Sequence, residues 1–221
     1  MIVVHHLNNS RSQRILWLLE ELGVPYKVKL YQRNSIGLAP KSLSEVSPLR
    51  KSPVITDGDV TLAESGAIIE YLINKCSVNG KLKTPSSGPE YVNNLYWLHF
   101  AEGSLQAAIV QRLSFATSAR FVAEELRPAA TAAFKQIRQE RMDPEVRKYA
   151  AHVEAHLERV EWFAGGSEPT AADFAMSFAV ECLAFLRMAG PKTLAYVTKI
   201  QARPGYLRAL EKGEGDYAYK L

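Results

Sequence analysis

Two neighbouring features of the sequence have the chemistry to hold a short peptide by its main chain and its charged end. Ser52 precedes Pro53 at the mouth of a predicted strand, where a proline is tolerated. A cis Ser52-Pro53 bond would leave the backbone N–H and C=O of Ser52 facing outward, able to pair with an extended ligand. Glu64 and Ser65 then precede an apolar helix, so the Ser65 hydroxyl and the first-turn N–H groups can hold a carboxylate while Glu64 takes an ammonium. The ligand that fits is short, with a peptide backbone and an amino-acid head group.

The elements that would position these residues alternate between strands and helices. Ser10 and Gln13 predict a capping box at the start of the first helix, and Gly23 supplies its stop. The β-branched runs around Asp57-Gly58 predict a tight hairpin. The predicted order βαβαββα is thioredoxin-like, with strands at 2–6, 26–31, 54–56 and 60–62, a first helix ending at residue 22, and helices at 40–46 and 65–75.

The rest of the chain has no convincing strand pattern. A stretch rich in Ser, Gly, Pro and Lys reads as a linker, and amphipathic runs follow it. The fold class is therefore α/β plus all-α, with a thioredoxin-like domain at 1–78, a linker at 79–90 and an all-helical domain at 91–221. The predicted helical runs are 91–118, 121–141, 144–163, 170–188 and 204–212.

A further polar cluster, Asn8, Asn9 and Ser10, follows the first predicted strand. A disulfide-exchange enzyme needs a low-pKa thiol with a resolving partner at this point, and the sequence has no Cys-x-x-Cys there. Disulfide reduction is therefore disfavoured. What remains is a set of neutral hydrogen-bonding side chains beside a helix start.

Composition narrows the function classes. The 221 residues carry a net charge of +4, and the basic residues between 120 and 148 alternate with glutamates, which disfavours a nucleic-acid interface. Two cysteines without metal-binding or redox spacing favour a reducing compartment. No signal peptide and no apolar run of membrane-spanning length is recognisable, so we expect a soluble cytoplasmic protein without an integral membrane segment. His152 and His156 lack the glutamate spacing of a zinc protease and predict a solvated helix face, so no metal site is expected.

Three motifs in order resemble those of the glutathione transferase superfamily, over nearly the whole chain. The stretch 2–23 is similar to the first strand and helix of the fungal and bacterial Gtt-like group, Glu64-Ser65 resembles the signature for the γ-glutamyl group, and Pro169 to Asp173 resembles the buried capping box of the helical domain. The resemblance implies that glutathione is the peptide ligand and a co-substrate, with no other cofactor. It also implies a homodimer, for which apolar residues after Tyr71 and the face near 91–98 are candidate contacts.

The resemblance also implies roles for individual residues. Counting back four residues from Arg14, as in one family pattern, gives Ser10 as the thiolate donor, and counting back five, as in another, gives Asn9. We favour Ser10 as the donor. A role as the N-cap of the first helix also explains this serine. Lys51 aligns with a lysine that meets the glycyl carboxylate, with Lys41 a second candidate. Arg50, where many relatives have glycine, is either a second cation for that carboxylate or a solvated side chain.

The helical half supplies two further sets of candidates. An apolar second substrate is expected against the helix that carries Trp97, Phe100, Ala101 and Ser104, although aromatic residues at that spacing are usually core. Thr170 and Asp173 form a predicted capping box with a structural role.

These features predict a detoxifying glutathione transferase that activates the glutathione thiol as thiolate for attack on small hydrophobic electrophiles, or for reduction of hydroperoxides. The alternative is a non-catalytic carrier or regulatory protein that keeps the glutathione groove. Asn8 or Asn9 as donor would imply weaker thiolate activation, and with it peroxidase or reductase chemistry instead of conjugation.

Overall fold

The computed structural model describes residues 1–215 and 217–221. Its sheet has the strand order β2-β1-β3-β4, made from β1 (Ile2–Leu7), β2 (Tyr26–Tyr31), β3 (Val54–Asp57) and β4 (Val60–Ala63). β1 pairs parallel with β2 and antiparallel with β3, and β3 and β4 form an antiparallel hairpin. Helices α1 (Gln13–Leu22) and α2 (Ser65–Cys76) complete this half, and a 3₁₀ turn spans Lys41–Glu45. The thioredoxin-like prediction is confirmed.

The described residues of the second half form helices joined by turns and loops, with no strand among them, as predicted. A π-type turn at Ala101–Gln106 joins its first two helices without a break. The helices are α3 (Gly88–Phe100), α4 (Ala107–Thr117), α5 (Arg127–Ile137), α6 (Asp143–Leu157), α7 (Ala171–Phe185), α8 (Pro191–Gln201) and α9 (Pro204–Lys212). Residues 171–184 of α7 are all buried, so this helix forms the centre of the helical core.

Two local predictions were wrong in detail. Helix α1 begins at Gln13, and Ser10 Oγ accepts a hydrogen bond from the amide of Ser12 at 3.3 Å, so Ser10 and Gln13 do not form the predicted capping box. In the hairpin, Gly58 and Asp59 are the turn residues, because Asp57 pairs directly with Val60. Gly58 has φ +62°, a conformation that glycine adopts without a side-chain penalty.

No pattern in the sequence predicted α8, and the structure shows what stabilises its start. The Glu154 carboxylate in α6 accepts hydrogen bonds from the amides of Lys192 and Thr193, at 2.7 and 2.9 Å. A carboxylate at a helix N-terminus satisfies free N–H groups and interacts favourably with the helix dipole. This cap comes from 38 residues away, so no local pattern could reveal it.

The two halves pack through α1, which lies against α7 and α9. The fully buried Trp17 ring packs 4.5 Å from Phe174 and 5.9 Å from Tyr206, measured between ring centroids. Glu21 next to it accepts two hydrogen bonds from Arg203, at 2.7 and 3.0 Å. The middle and the C-terminal end of α1 are therefore held in position by the helical half.

Across 1–215 and 217–221, no helix combines the length and the apolar character needed to cross a bilayer.

Candidate functional site

A cleft between the sheet and the helical half contains two adjoining cavities. The first has a volume of about 440 Å³ and borders Ser10, and the second has a volume of about 670 Å³ and borders Glu64 and Ser65. The two cavities are neighbours, because both are lined by Arg11, Leu49, Lys51, Ser52 and Val110. The structure therefore brings the predicted thiolate donor and the predicted head-group site to one cleft.

Ser10 lies in the loop between β1 and α1 and is 5 % exposed. Its Oγ lies 2.8 Å from Ser12 Oγ, which in turn lies 2.9 Å from His6 Nδ1 and 3.3 Å from the carbonyl oxygen of Leu7. Burial lowers the pKa of His6 to about 4, so its ring is neutral at neutral pH. The hydroxyl that borders the cleft is thus linked to two further buried polar groups, which the sequence analysis did not identify.

Asn9 also lines the first cavity, but its carboxamide oxygen is already bound. Asn9 Oδ1 accepts a hydrogen bond from the amide of Ala218 at 2.7 Å, which ties the C-terminal segment to the start of the cleft. The backbone of Asn9 has φ +50°, a left-handed conformation that asparagine tolerates better than most residues. Asn8 Oδ1 accepts from the amide of Arg33 at 2.8 Å. The described contacts of both asparagines fix the loop.

The second cavity contains the main-chain features predicted from the sequence. The Ser52-Pro53 peptide bond is cis, as anticipated. The Ser52 hydroxyl donates to the carbonyl oxygen of His5 at 2.9 Å, which fastens this segment to β1. Ser65 is the buried first residue of α2, and Glu64 before it has φ +70°. A non-glycine residue held in this conformation is strained, and such strain clusters at functional sites.

Glu102 is a member of this cleft that the sequence analysis missed. It belongs to the π-type turn of the helical half and lines the second cavity together with Glu64. Its carboxylate accepts from Arg11 Nε at 2.9 Å and from Arg14 Nη1 at 2.8 Å. Arg14 is buried, and its Nε and Nη2 have no hydrogen-bond partner among the described residues. One carboxylate therefore orders two guanidinium groups at the boundary of the two halves.

The predicted cations divide between positions inside and outside the cleft. Lys51 is exposed and lines both cavities, whereas Lys41 is exposed at the start of the 3₁₀ turn and lines neither. Arg50 lines the first cavity and donates from Nη2 to the carbonyl oxygen of Ala39. It is therefore anchored to a neighbouring loop, and its φ of +52° is a conformation that glycine adopts without a side-chain penalty.

The four residues predicted for the apolar substrate line neither cavity of the cleft. Trp97 is 2 % exposed and packs 4.5 Å from His156 and 5.0 Å from Phe163, between ring centroids, and Ala101 is fully buried. Phe100 and Ser104 border a separate surface groove. The periodicity of this helix therefore marks the core of the helical half, which is the usual meaning of such a pattern. His156 is likewise buried, contrary to the predicted solvated face.

The apolar wall of the cleft comes from later positions. Val110 and Leu113 lie on one helix face together with the polar Gln106, because the three residues are spaced four and three apart. Phe178 of α7 and Tyr219 of the C-terminal segment complete the wall. The spacing of the first three was visible in the sequence, but nothing local indicated that this face meets the cleft.

The predicted capping box at α7 is confirmed. Asp173 Oδ2 accepts from the amide of Thr170 at 2.8 Å and from the Thr170 hydroxyl at 3.1 Å. Asp173 Oδ1 accepts from the amide of Phe163 at 2.9 Å and from the Tyr196 hydroxyl at 2.8 Å. Neither Thr170 nor Asp173 lines the cleft, so the motif contributes to the core of the helical half.

Comparisons with known proteins place this geometry in context. The sequence model described as "Glutathione S-transferase, N-terminal domain" matches residues 1–74. Glutathione S-transferase 3 of Schizosaccharomyces pombe is 37% identical over 180 residues, covering 81% of this chain and 73% of the relative. Glutathione S-transferase 1 of Saccharomyces cerevisiae is 27% identical, covering 96% and 95% of the two chains. The crystal structure of a glutathione S-transferase from Actinobacillus pleuropneumoniae superimposes with a TM-score of 0.78 at 32% identity, over 97% of this chain and 93% of that one.

Proposed function

Because the chain belongs to the glutathione transferase superfamily, we propose that it binds glutathione in the cleft and activates the thiol as thiolate for attack on a small electrophile. The observation that carries the proposal is that the cavity beside Ser10 and the cavity beside Ser65 share five lining residues. One extended tripeptide bound along both cavities would run from the hydroxyl of Ser10 to the start of α2. Detoxification is the role that such chemistry serves.

The residues present match the functional groups of glutathione. The γ-glutamyl carboxylate is assigned to Ser65 and the first-turn N–H groups of α2, and its ammonium to the carboxylates of Glu64 and Glu102. The cysteinyl main chain is assigned to the backbone of Ser52, and the glycyl carboxylate to Lys51. This places the sulfur beside Ser10, and the apolar wall around Val110 and Phe178 is left for the electrophile.

The energy needed for thiolate formation is within reach of a single side chain. A free thiol has a pKa of about 8.5, and lowering it by about two units takes about 2.7 kcal/mol of preferential stabilisation. One hydrogen bond to a charged group contributes about 1.5–3 kcal/mol, and a nearby helix N-terminus adds about 0.3–1 kcal/mol. The Ser10 hydroxyl together with the start of α1 is therefore sufficient, without a covalent enzyme intermediate.

The test begins with binding and continues with ionisation. Calorimetry on the folded protein is expected to detect reduced glutathione and its S-methyl derivative, and ultraviolet thiolate absorbance is expected to give a bound thiol pKa well below that of free glutathione. Absence of any association with millimolar glutathione contradicts the proposal. Tight binding with an unshifted thiol pKa would instead identify a carrier or regulatory protein.

The reaction is defined by a substrate panel. Conjugation of aryl halides or isothiocyanates would support attack on carbon, and consumption of hydroperoxides would support peroxidase activity. In the peroxidase reaction two glutathione molecules are oxidised to the disulfide while the hydroperoxide is reduced to an alcohol and water. The apolar wall favours hydrophobic electrophiles in either case.

We also propose that the protein is a homodimer. The helix α3 exposes a row of large apolar side chains, and these lie within the face that the sequence analysis named: Tyr91, Val92, Leu95 and Tyr96. Light scattering is expected to give twice the mass of the chain, and a charge introduced by Val92→Glu is expected to shift the mass toward that of one chain.

Both cysteines are free, which supports the expected reducing, cytoplasmic environment.

A further inference from the structure

The residues behind Ser10 form a hydrogen-bonded chain that leads from the cleft into the protein. The chain consists of Ser10 Oγ, Ser12 Oγ and His6 Nδ1, with separations of 2.8 and 2.9 Å. Ser10 borders the cleft, whereas Ser12 and His6 are not among its lining residues. All three side chains are at most 5 % exposed. A thiol held at Ser10 therefore contacts one end of a path whose other end is an imidazole ring.

The position of the proton on His6 determines which group donates to which along this chain, because each serine hydroxyl carries a single proton. When His6 carries its proton on Nε2, Ser12 donates to Nδ1 and Ser10 donates to Ser12, so Ser10 has no proton for the cleft. When His6 carries its proton on Nδ1, the ring donates to Ser12, Ser12 donates to Ser10, and Ser10 donates to the cleft. The competing acceptor for the Ser12 proton, the carbonyl oxygen of Leu7, is farther away at 3.3 Å.

We propose that Ser10, Ser12 and His6 form a proton relay that removes the proton of the bound thiol and leaves Ser10 donating to the thiolate. This rests on the proposed binding of glutathione in the cleft. Ser10 is the catalytic residue because it touches the sulfur, and Ser12 and His6 are positioning residues that act through it.

The transfer conserves protons at every step. The S–H bond breaks as a new O–H bond forms on Ser10, the former proton of Ser10 passes to Ser12, and the former proton of Ser12 passes to Nδ1 of His6. The imidazolium then releases its Nε2 proton to water. The net products are a thiolate and a hydrated proton, and the chain is left with Ser10 donating to sulfur.

The surroundings of His6 suit a transient role. Burial disfavours its charged form, so the imidazolium gives up its second proton rather than persisting. The Nε2 side of the ring faces the partly exposed Gly213, where a Cβ atom would lie 3.3 Å from Nε2. The same Cβ position would lie 3.2 Å from Oε1 of Gln13, so the far nitrogen shares its surroundings with a polar carboxamide and with a residue that has no side chain.

The experiment compares the rate of thiolate formation after mixing with glutathione, read from thiolate absorbance, in wild type and variants. Ser12→Ala and His6→Leu are each expected to slow thiolate formation several-fold, because the proton path behind Ser10 is cut, while Ser10 itself remains able to donate to the thiolate. Ser12→Thr keeps the hydroxyl and is expected to restore the wild-type rate. Matched controls are Ser177→Ala, whose hydroxyl donates to the Phe174 carbonyl at 2.9 Å, and His156→Leu, whose ring is buried beside the Phe163 carbonyl.

The outcomes separate the relay from a purely structural role. A lower melting temperature with an unchanged rate of thiolate formation in both Ser12→Ala and His6→Leu overturns the relay and leaves the proposed function standing, provided that Ser10→Ala still raises the thiol pKa. Binding of S-methylglutathione, which has no thiol proton, is expected to be unchanged in the relay variants. Failure of the wild type to bind glutathione overturns both proposals.

A second measurement does not depend on the variants being stable. In mixtures of light and heavy water, several protons moving together make the rate of thiolate formation depend non-linearly on the deuterium fraction. We expect that curvature in the wild type. A linear dependence would mean that a single proton moves, which overturns the relay.

Discussion

Two buried polar clusters lie beside helix starts in this protein, and they differ in how completely their hydrogen bonds are used. At α7 the Asp173 carboxylate accepts four hydrogen bonds and is closed to solvent. At α1 the cluster of Ser10, Ser12 and His6 is neutral, and its outermost hydroxyl borders the cleft.

This difference separates stability from chemistry. A carboxylate whose donors are all internal can only stabilise the fold, because no ligand can reach it. A hydroxyl chain that ends at a cavity retains hydrogen-bonding capacity for a ligand. Substitutions at α7 are therefore expected to change the free energy of unfolding, and substitutions at α1 are expected to change the properties of the bound thiol.

Asp173→Ala is expected to produce the largest loss of stability. Removing the carboxylate leaves the amides of Thr170 and Phe163 and the hydroxyl of Tyr196 buried without their acceptor, so the free energy of unfolding should fall by about 3–5 kcal/mol. The helix cap alone would cost only about 1 kcal/mol. Denaturant unfolding measures the loss, and Glu161→Gln on the exposed surface serves as the control.

The thiol pKa sharpens this expectation. In the folded fraction of Asp173→Ala, the pKa of bound glutathione should equal that of the wild type. A raised pKa would mean that the two clusters are coupled, so that the α7 cluster would affect the bound thiol as well as the free energy of unfolding.

The second expected effect is a loss of stability on acidification that belongs to the α1 cluster. Burial lowers the pKa of folded His6 from 6.5 to about 4, so between these values the unfolded chain binds a proton that the folded chain does not. Stability should be fully present above pH 6.5 and fall as the pH drops toward 4, by about 3 kcal/mol in total.

The comparison that isolates His6 is the difference in unfolding free energy between wild type and His6→Gln at each pH. His5 and His156 also have pKa values lowered by burial, but both are present in the two proteins. The difference should shrink from pH 7 to pH 4.5. A difference independent of pH would show that His6 is charged or exposed in the folded state.

Ser10→Ala is expected to give a smaller stability effect and a large functional one. The bound thiol pKa should rise by about one to two units, because a hydrogen bond to a charged group is lost. The unfolding free energy should change by about 1 kcal/mol or less, since the lost partners are neutral. Thiolate absorbance and denaturant unfolding on the same sample test both parts, and equal thiol pKa values in variant and wild type would show that Ser10 does not act as donor.

The same contrast explains how far the sequence could predict the site. The order of strands and helices in the first half and the Thr170–Asp173 box follow from residues within a few positions of one another, and Pro53 made a cis bond after Ser52 possible. Local backbone preferences and capping chemistry are strong enough there to be recognised without tertiary information.

The missed features all depend on contacts between distant segments. Glu102 and Tyr219 reach the cleft from the helical half, and α8 is capped by Glu154 of another helix. The apolar spacing around Trp97 was visible, but its direction toward the core could be decided only by the packing of α3 against α7. Helix periodicity reports that a face is buried and does not report what it is buried against.

The smallest expected effect decides between the two candidate thiolate donors. Asn9→Gly removes the carboxamide without straining the backbone, since glycine accepts the φ of +50°. It breaks one neutral hydrogen bond to Ala218, so the unfolding free energy should fall by about 1 kcal/mol. The thiol pKa should stay at the wild-type value, because the described hydrogen bond of Asn9 fastens the C-terminal segment and Ser10 supplies the donor. If Asn9→Gly raises the thiol pKa as much as Ser10→Ala does, the carboxamide is the donor. The cluster of Ser10, Ser12 and His6 would then have a purely structural role, like the cluster at α7.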